Sequence, residues 1–279
     1  MKKYFKVMGL IVLLGIIIVG VKAFPFLKVM SEIEVVEYDK NLTLVLGGGG
    51  NSAILVGDKE VLVVDSKVAS GKSKLFDLVK QKAGDKPIIL VNTHLHGDHA
   101  KGNPLYKGNT IIAGAYQKED WVKENGDDGL PTEWLKDTKE IVIGDETVIL
   151  KNVGQAHTLN DVVVFFKNRK MLFLGDMLMI GMHPFLKENH GSKIALYIEK
   201  TNLVMAEFQP EKIIPGHGRV GGKELVDELQ TYFADTKSVA EGKSELTAIE
   251  EKYKDWISFF HMSGTSATVK YWKKELGIK

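Results

Sequence analysis

Between Asn92 and Ala100 the chain reads NTHLHGDHA, which places three of its eight histidines and an aspartate within six consecutive positions. Imidazole and carboxylate groups at this density can hold transition metals. No thiolate can join them, because the chain has no cysteine. The apolar run Pro87 to Val91 just upstream has the length and β-branched content of a buried strand, so His94 and His96 leave its end two residues apart and point to one side. Gly97 then lets the chain turn sharply, and Asp98 and His99 can face a neighbouring ion. The pattern His-x-His-x-Asp-His thus offers ligands for two adjacent cations.

If this cluster is a metal site, further ligand types belong at other strand ends. They are found there. His157 in GQAHTLND follows a β-rich stretch, Asp176 in FLGD follows Met171 to Leu174, and His217 in IIPGHG follows Lys212 to Pro215. Each follows an apolar run and lies beside glycine.

Together with Asp65 at the end of VLVVD, these five motifs, in this order from Asn51 to Gly218, resemble those of the metallo-β-lactamase-fold hydrolase superfamily. The resemblance implies a first metal on His94, His96 and His157, a second on Asp98, His99 and His217, and Asp176 bridging them. It implies that Asp65 stands behind the ligands and supports the metal-site loop. The implied fold class is α/β, a four-layered αβ/βα sandwich with the metals at one edge of two facing sheets. The expected activity is dinuclear, metal-dependent hydrolysis of an ester, thioester, lactone or lactam by a metal-bound hydroxide. Asp98 and Asp176 are the candidate catalytic residues, either of which can orient the hydroxide or return a proton to the leaving group.

Ligands without thiolate suit zinc, two Zn2+ per chain, though iron or manganese can occupy the same set. Mono-iron persulfide dioxygenases keep the same histidines and form the alternative. A non-enzymatic extracytoplasmic metal-binding protein would be expected to lack a ligand, and all seven positions are filled. The best-known β-lactamases of the family carry cysteine where Asp176 stands, which argues against potent lactam hydrolysis. Flavodiiron relatives carry glutamate where His96 stands, and nucleases of the family bring an inserted domain or a basic surface.

A length of 279 residues with 44% hydrophobic and 26% charged residues is that of a folded chain forming one large domain or two small ones. The formal charge of +1 supplies no long-range field for polyanions, so a small-molecule substrate is expected and nucleic acid is not. Val7 to Val21 runs without a charge between Lys6 and Lys22, and as a helix would span about 22 Å against a hydrocarbon core of roughly 30 Å. Residues 1–23 therefore read as a signal peptide, ending at Val21-Lys22-Ala23, or as a membrane anchor. On that reading the protein is extracytoplasmic and touches the membrane only through this segment. Nothing in the sequence indicates an oligomeric state.

Residues 31–222 are expected to form the metallo-β-lactamase-like domain, with 223–279 a helical region packed on it. Within the first, Ile33 to Ser66 reads as antiparallel strands, with Gly47 to Gly50 as a flexible hairpin loop near the metals. Lys67 to Gly84 has helical period, as does Ala115 to Glu124. Trp121 and Trp134 flank a loop and read either as an apolar rim or as core. Hairpins turned at Gly144-Asp145 and Asn168-Arg169 present His157 and Asp176. Between Asp176 and His217, His183 reads as surface or as a substrate-facing or supporting residue, and His190 as surface. Lys193 to Glu207 reads as a helix, as do Glu224 to Ala240, Glu245 to Phe260 and Ala267 to Leu276. Leu246, Ile249, Tyr253, Trp256 and Ile257 form an apolar stripe on the second of these last three.

Overall fold

Runs of β-branched residues separated by Asn, Gly and Asp turns fold into β1 (Ile33–Glu37), β2 (Leu42–Gly47), β3 (Ser52–Val56) and β4 (Val61–Val64), each antiparallel to the next. The structure is a computed structural model that describes residues 28, 30–259 and 262–279. The signal or anchor expected at residues 1–23 lies outside them. Beyond β4, strands β5 (Ile88–Val91), β6 (Thr110–Gly114) and β7 (Glu133–Leu135) continue the same sheet in parallel. Parallel neighbours need a crossover, and helix α1 (Ala69–Ala83) makes the one between β4 and β5.

The second sheet has five strands in the order β12-β11-β10-β9-β8. They are β8 (Thr138–Ile143), β9 (Glu146–Gly154), β10 (Asp161–Phe166), β11 (Met171–Met179) and β12 (Lys212–His217). Both predicted hairpins are present, and helix Ile194–Phe208 crosses from β11 to the parallel β12.

Side-chain alternation along the strands explains how the layers stack. Leu62 and Val64 of β4 point inward, where they share one core with Val164, Phe166 and Phe173 of the other sheet. Val61 and Val63 point outward onto Leu75 and Val79 of α1. On the far side, Val163, Leu172 and Leu174 meet Tyr197 and Val204 together with Leu225, Phe233 and Trp272 of the carboxy-terminal helices. The layers are therefore helix, sheet, sheet and helices, the α/β sandwich that the motifs implied. Phe173 is fully buried between the sheets; truncating a phenyl ring in such a place costs about 3–5 kcal/mol.

Five of the six expected helices start or end elsewhere, two of them by more than two residues. The helix expected from Ala115 begins only at Lys118, because Tyr116 turns back through its N–H onto the Gly114 carbonyl and buries its ring. The one expected over Glu245 to Phe260 stops at Lys252. Ile257 is drawn instead into a bridge with Met182, donating to the Gly181 carbonyl and accepting from His183. Its neighbour Trp256 still stacks on Tyr232, with ring centroids 4.9 Å apart. The last helix runs Thr265–Glu275. Trp121 is core rather than rim: it is buried, and its ring meets Trp134 edge-on at 5.6 Å. Among the described residues no helix is long and apolar enough to cross a membrane.

Polar contacts join the sheets at both ends of the strands. Arg169, in the β10–β11 turn, donates to Asp39 (2.8 Å) in the β1–β2 turn and to Glu146 at the start of β9. At the opposite edge the Asn51 amide donates to the carbonyls of Pro215 (2.9 Å) and Gly218 (3.0 Å). This second seam carries the site.

Candidate metal centre

Strand β5 ends at Val91 and the chain continues to His94 and His96 before one helical turn, Gly97–Ala100, carries Asp98 and His99. His94, His96 and His99 are buried, while the Asp98 side chain stays 25% exposed. Their orientation is set from behind by Asp65, which is itself fully buried and holds a left-handed backbone (φ 60°) unusual for a non-glycine residue. Its carboxylate accepts from the Thr93 N–H (2.8 Å), the Thr93 hydroxyl (2.8 Å) and His99 Nδ1 (2.7 Å). Because the Thr93 hydroxyl gives its proton to Asp65, it receives one from His94 Nδ1, 3.0 Å away. Both rings therefore carry hydrogen on Nδ1 and turn Nε2 into the site. Asp65 thus lies behind the donor atoms, in contact with Thr93 and His99.

The second sheet contributes one donor at a time. His157 follows the end of β9, Asp176 lies within β11 and His217 closes β12. Tyr197 donates its hydroxyl to the Asp176 carbonyl. Close approach of strands β11 and β12 requires glycine before His217, since a Cβ at Gly216 would lie 2.0 Å from Asp176 Oδ1. On the first sheet, a Cβ at Gly50 would lie 2.2 Å from the His99 ring. The Gly47–Gly50 loop is held against the cluster rather than left loose: the buried Lys67 ammonium donates to the carbonyls of Val45, Gly47 and Gly50.

All seven sequence-derived ligands converge, and they do so as two groups that could each hold a metal ion: His94, His96, His157 and Asp176, and Asp98, His99, Asp176 and His217. In the first, His96 Nδ1 lies 3.1 Å from His94 Nε2 and 3.0 Å from His157 Nε2. Asp176 Oδ2 lies 3.7 Å from His94 and 3.5 Å from His157. In the second, Asp176 Oδ1 is 3.1 Å from His99 and 3.4 Å from His217, whose Nε2 is also 3.1 Å from Asp98. Donors around a tetrahedral ion at about 2.0–2.1 Å stand about 3.3 Å apart, so both groups have the spacing of a coordination shell.

Electrostatics divides the groups. Burial, reinforced by neighbouring imidazoles, pushes His94 and His96 well below the usual histidine range, and burial takes His157 to about 4. These rings are neutral, the form that ligates. For His99 and His217 burial acts in the same direction but is overcome by Asp176 and Asp98, which raise His99 well above its ordinary value and His217 to about 9. Despite burial, the same imidazoles hold both carboxylates ionised. His99 Nε2 and Asp176 Oδ1 are buried at the centre without a hydrogen bond. Leaving such atoms unsatisfied is costly, and a cation between them removes the cost, so the residues fit a divalent metal.

Two more histidines reach the site. His183 lines the cavity next to the cluster, with Nδ1 3.0 Å from the Tyr232 hydroxyl, and burial lowers it to about 4. His190, which reads as a surface residue, instead sets its Nδ1 2.9 Å from His96 Nε2, while its own Nε2 lies 3.6 Å from Glu124. Neither Glu124 nor His190 stands in a motif. The contact joins positions 94 residues apart, so no local spacing could have signalled it.

A profile described as the metallo-beta-lactamase superfamily matches residues 45–217, and the chain belongs to that superfamily. It is a metal-dependent hydrolase of this fold. Over 181 residues it is 26% identical to Metallo-beta-lactamase IND-1 of Chryseobacterium indologenes, covering 62% of this chain and 74% of that one. Acyl-coenzyme A thioesterase MBLAC2 of Homo sapiens is 24% identical over 191 residues, covering 55% of this chain and 64% of the human protein, slightly less than two thirds of its length. Among solved structures, a metallo-beta-lactamase from Pontibacter korlensis superposes with a TM-score of 0.62 at 16% identity, covering 72% of this chain and 98% of that one. At that identity the likeness concerns the fold alone.

Proposed function

We propose that the protein is a dinuclear zinc hydrolase acting on a small molecule with an ester, thioester, lactone or lactam bond. The observation that carries this reading is the division of Asp176, with Oδ2 among His94 and His157 and Oδ1 between His99 and His217. One carboxylate placed in this way can span two cations and offset their mutual repulsion. His94, His96 and His157 would hold one ion, Asp98, His99 and His217 the other. A bound metal pair lowers the pKa of water from 15.7 towards about 7 and polarises a carbonyl oxygen.

The chain's own residues supply the rest. Asp65 fixes the orientation of the His94 and His99 rings, so that both Nε2 atoms point inward. Both carboxylates border the cavity, but Asp176 is almost wholly enclosed whereas Asp98 is a quarter exposed. Asp98 is accordingly assigned to carry the proton to the leaving group, and Asp176 to hold the centre together. The names of the relatives include a lactam-cleaving and a thioester-cleaving activity, which keeps both bond types in the class.

Elemental analysis under metal-replete conditions, beside a panel of the four bond types, tests the proposal. Close to two zinc ions per chain with turnover of at least one substrate is expected. A stoichiometry that never exceeds one would overturn the dinuclear reading and favour the mono-iron alternative.

A further inference from the structure

Directly against the donor cluster opens a cavity of about 210 Å³ whose floor is His96, Asp98, Asp176 and His217. Its walls are mostly apolar, formed by Met30, Val68, Met179, Met182, Phe185 and Phe259, with the side chains of His183 and Lys101 among them. Phe185 links the two parts: its ring lies 5.9 Å from that of His96 and meets Phe259 edge-on at 5.4 Å. Outside the donor set, among the described residues, the one charged lining residue is Lys101, whose ammonium donates to the Glu124 backbone carbonyl. Away from Lys101, the Met and Phe wall thus offers dispersion and desolvation but no carboxylate and no ammonium to pair with a charged substituent. Three methionines in one wall adapt to ligand shape better than branched side chains would.

We infer that this cavity is an acyl pocket: the substrate sets its scissile carbonyl on the donor cluster and lays an uncharged, apolar acyl group against Met179, Met182, Phe185 and Phe259. The inference rests on the hydrolase reading and deepens it. A dry cavity of about 150 Å³ accepts benzene, so this one suits an acyl group of about six to eight carbons. In the reaction the oxygen of water bonds to the acyl carbon and the bond from that carbon to the leaving oxygen, sulfur or nitrogen breaks. One proton of the water goes to the leaving group and the other to solvent, releasing the acyl group as its carboxylate.

Two measurements on the zinc-loaded full-length chain test this. In spectra of protein labelled at the methionine methyls, hexanoate should shift the Met179 and Met182 resonances while acetate should not. Affinity for a series of linear carboxylates should rise about fourfold per methylene to about six carbons and then level off. Over matching acyl esters and thioesters, kcat/KM should peak at that length, and Phe259→Ala should move the peak to longer chains. Carboxylates that bind equally whatever their length, or turnover that ignores acyl length, would overturn the pocket assignment. Length-dependent binding with no turnover of any substrate would uphold the pocket and sink the hydrolase reading instead.

We also propose that His190 and Glu124 position His96, an assignment that stands on a separate set of contacts. His96 turns Nδ1 into the cluster, so its remaining hydrogen is on Nε2 and can only be donated. The acceptor 2.9 Å away is His190 Nδ1, which places the His190 hydrogen on Nε2, the atom facing the Glu124 carboxylate at 3.6 Å. Glu124 thereby selects the tautomer of His190, and His190 that of His96. Competition with a chromophoric chelator reads the result without turnover. His190→Ala should weaken the affinity for one of the two ions, the one the group His94, His96 and His157 would hold, about 10- to 100-fold. His190→Asn, whose amide oxygen still accepts, should keep most of the affinity, and Glu124→Gln should fall between. Wild-type affinity in His190→Ala, or equal losses in the Ala and Asn variants, would remove the positioning role.

Discussion

The seven-stranded sheet delivers four donors from a single turn after one strand, whereas the five-stranded sheet delivers three from three separate places along its strands. The supports differ as well. His94, His96 and His99 each have a partner on the ring nitrogen that faces away from the centre: Thr93, His190 and Asp65. The corresponding nitrogens of His157 and His217 are buried and make no hydrogen bond among the described residues. Their rings are aimed by packing instead, His157 edge-on to Tyr197 at 6.0 Å and His217 by the strand contact that Gly216 permits. A compact cluster in the sequence is thus aimed by polar contacts behind it, and a dispersed set by the fold itself.

Breaking the point where the halves meet should have the largest effect. Asp176→Asn removes the charge shared by both groups, and turnover should fall by more than the roughly 100-fold upper end typical of supporting residues. Thermal unfolding should move much less, because the core strands do not depend on that carboxylate. Retained wild-type turnover with both metals bound would show that Asp176 is not a functional bridge.

Next in size is the support of the first half. Asp65→Ala should lower metal affinity about 10- to 100-fold, measured by chelator competition, since it releases both the His99 ring and the Thr93–His94 pair. An unchanged affinity would make the two halves equivalent and undo the contrast between them.

The seams come last. Asn51→Ala strips the Pro215 and Gly218 carbonyls of a donor and leaves the Gly47 N–H without its acceptor, and should cost about 2 kcal/mol in denaturant unfolding. At the far edge, hydrogen bonding to Arg169 holds Asp39 at about 2, against an ordinary 3.8. A group depressed in the folded state stabilises fully above its unfolded value and loses that contribution as the pH falls through the folded one. Asp39→Asn should therefore cost about 1 kcal/mol near neutral pH, the allowance for a partly exposed pair. The stability curves of variant and wild type should converge between about 3.8 and 2. Parallel curves over that range would show that the ion pair does not hold the far edge.

How much of this was legible in the sequence follows from the same contrast. The run from His94 to His99 could be read as a site because its residues are neighbours, and the later motifs could be added because each ends an apolar run beside glycine. Apolar runs between Asn, Gly and Asp turn signals likewise gave the strands, whereas the two faces of Val61 to Val64, all apolar, are distinguished only by the fold. His190 and Glu124 were not legible: each belongs to a different segment from His96, and only the tertiary fold brings the three together. The helix expected to run to Phe260 failed for a related reason, as a helical apolar stripe was overridden by the pairing of Ile257 with Met182.

The Lys67 cage has a consequence for motion at the edge of the site. Four successive glycines would ordinarily mark a segment that opens on its own, exchanging its amide protons rapidly. Here, opening the loop would strand a buried ammonium without the carbonyls of Val45, Gly47 and Gly50. It would also break the bonds from the Gly50 N–H to Asp98 and from the Asn51 N–H to Gly216. These two amides should consequently exchange with deuterium only when the surrounding sheet opens as a unit, on the slow timescale of the strands rather than that of a loop.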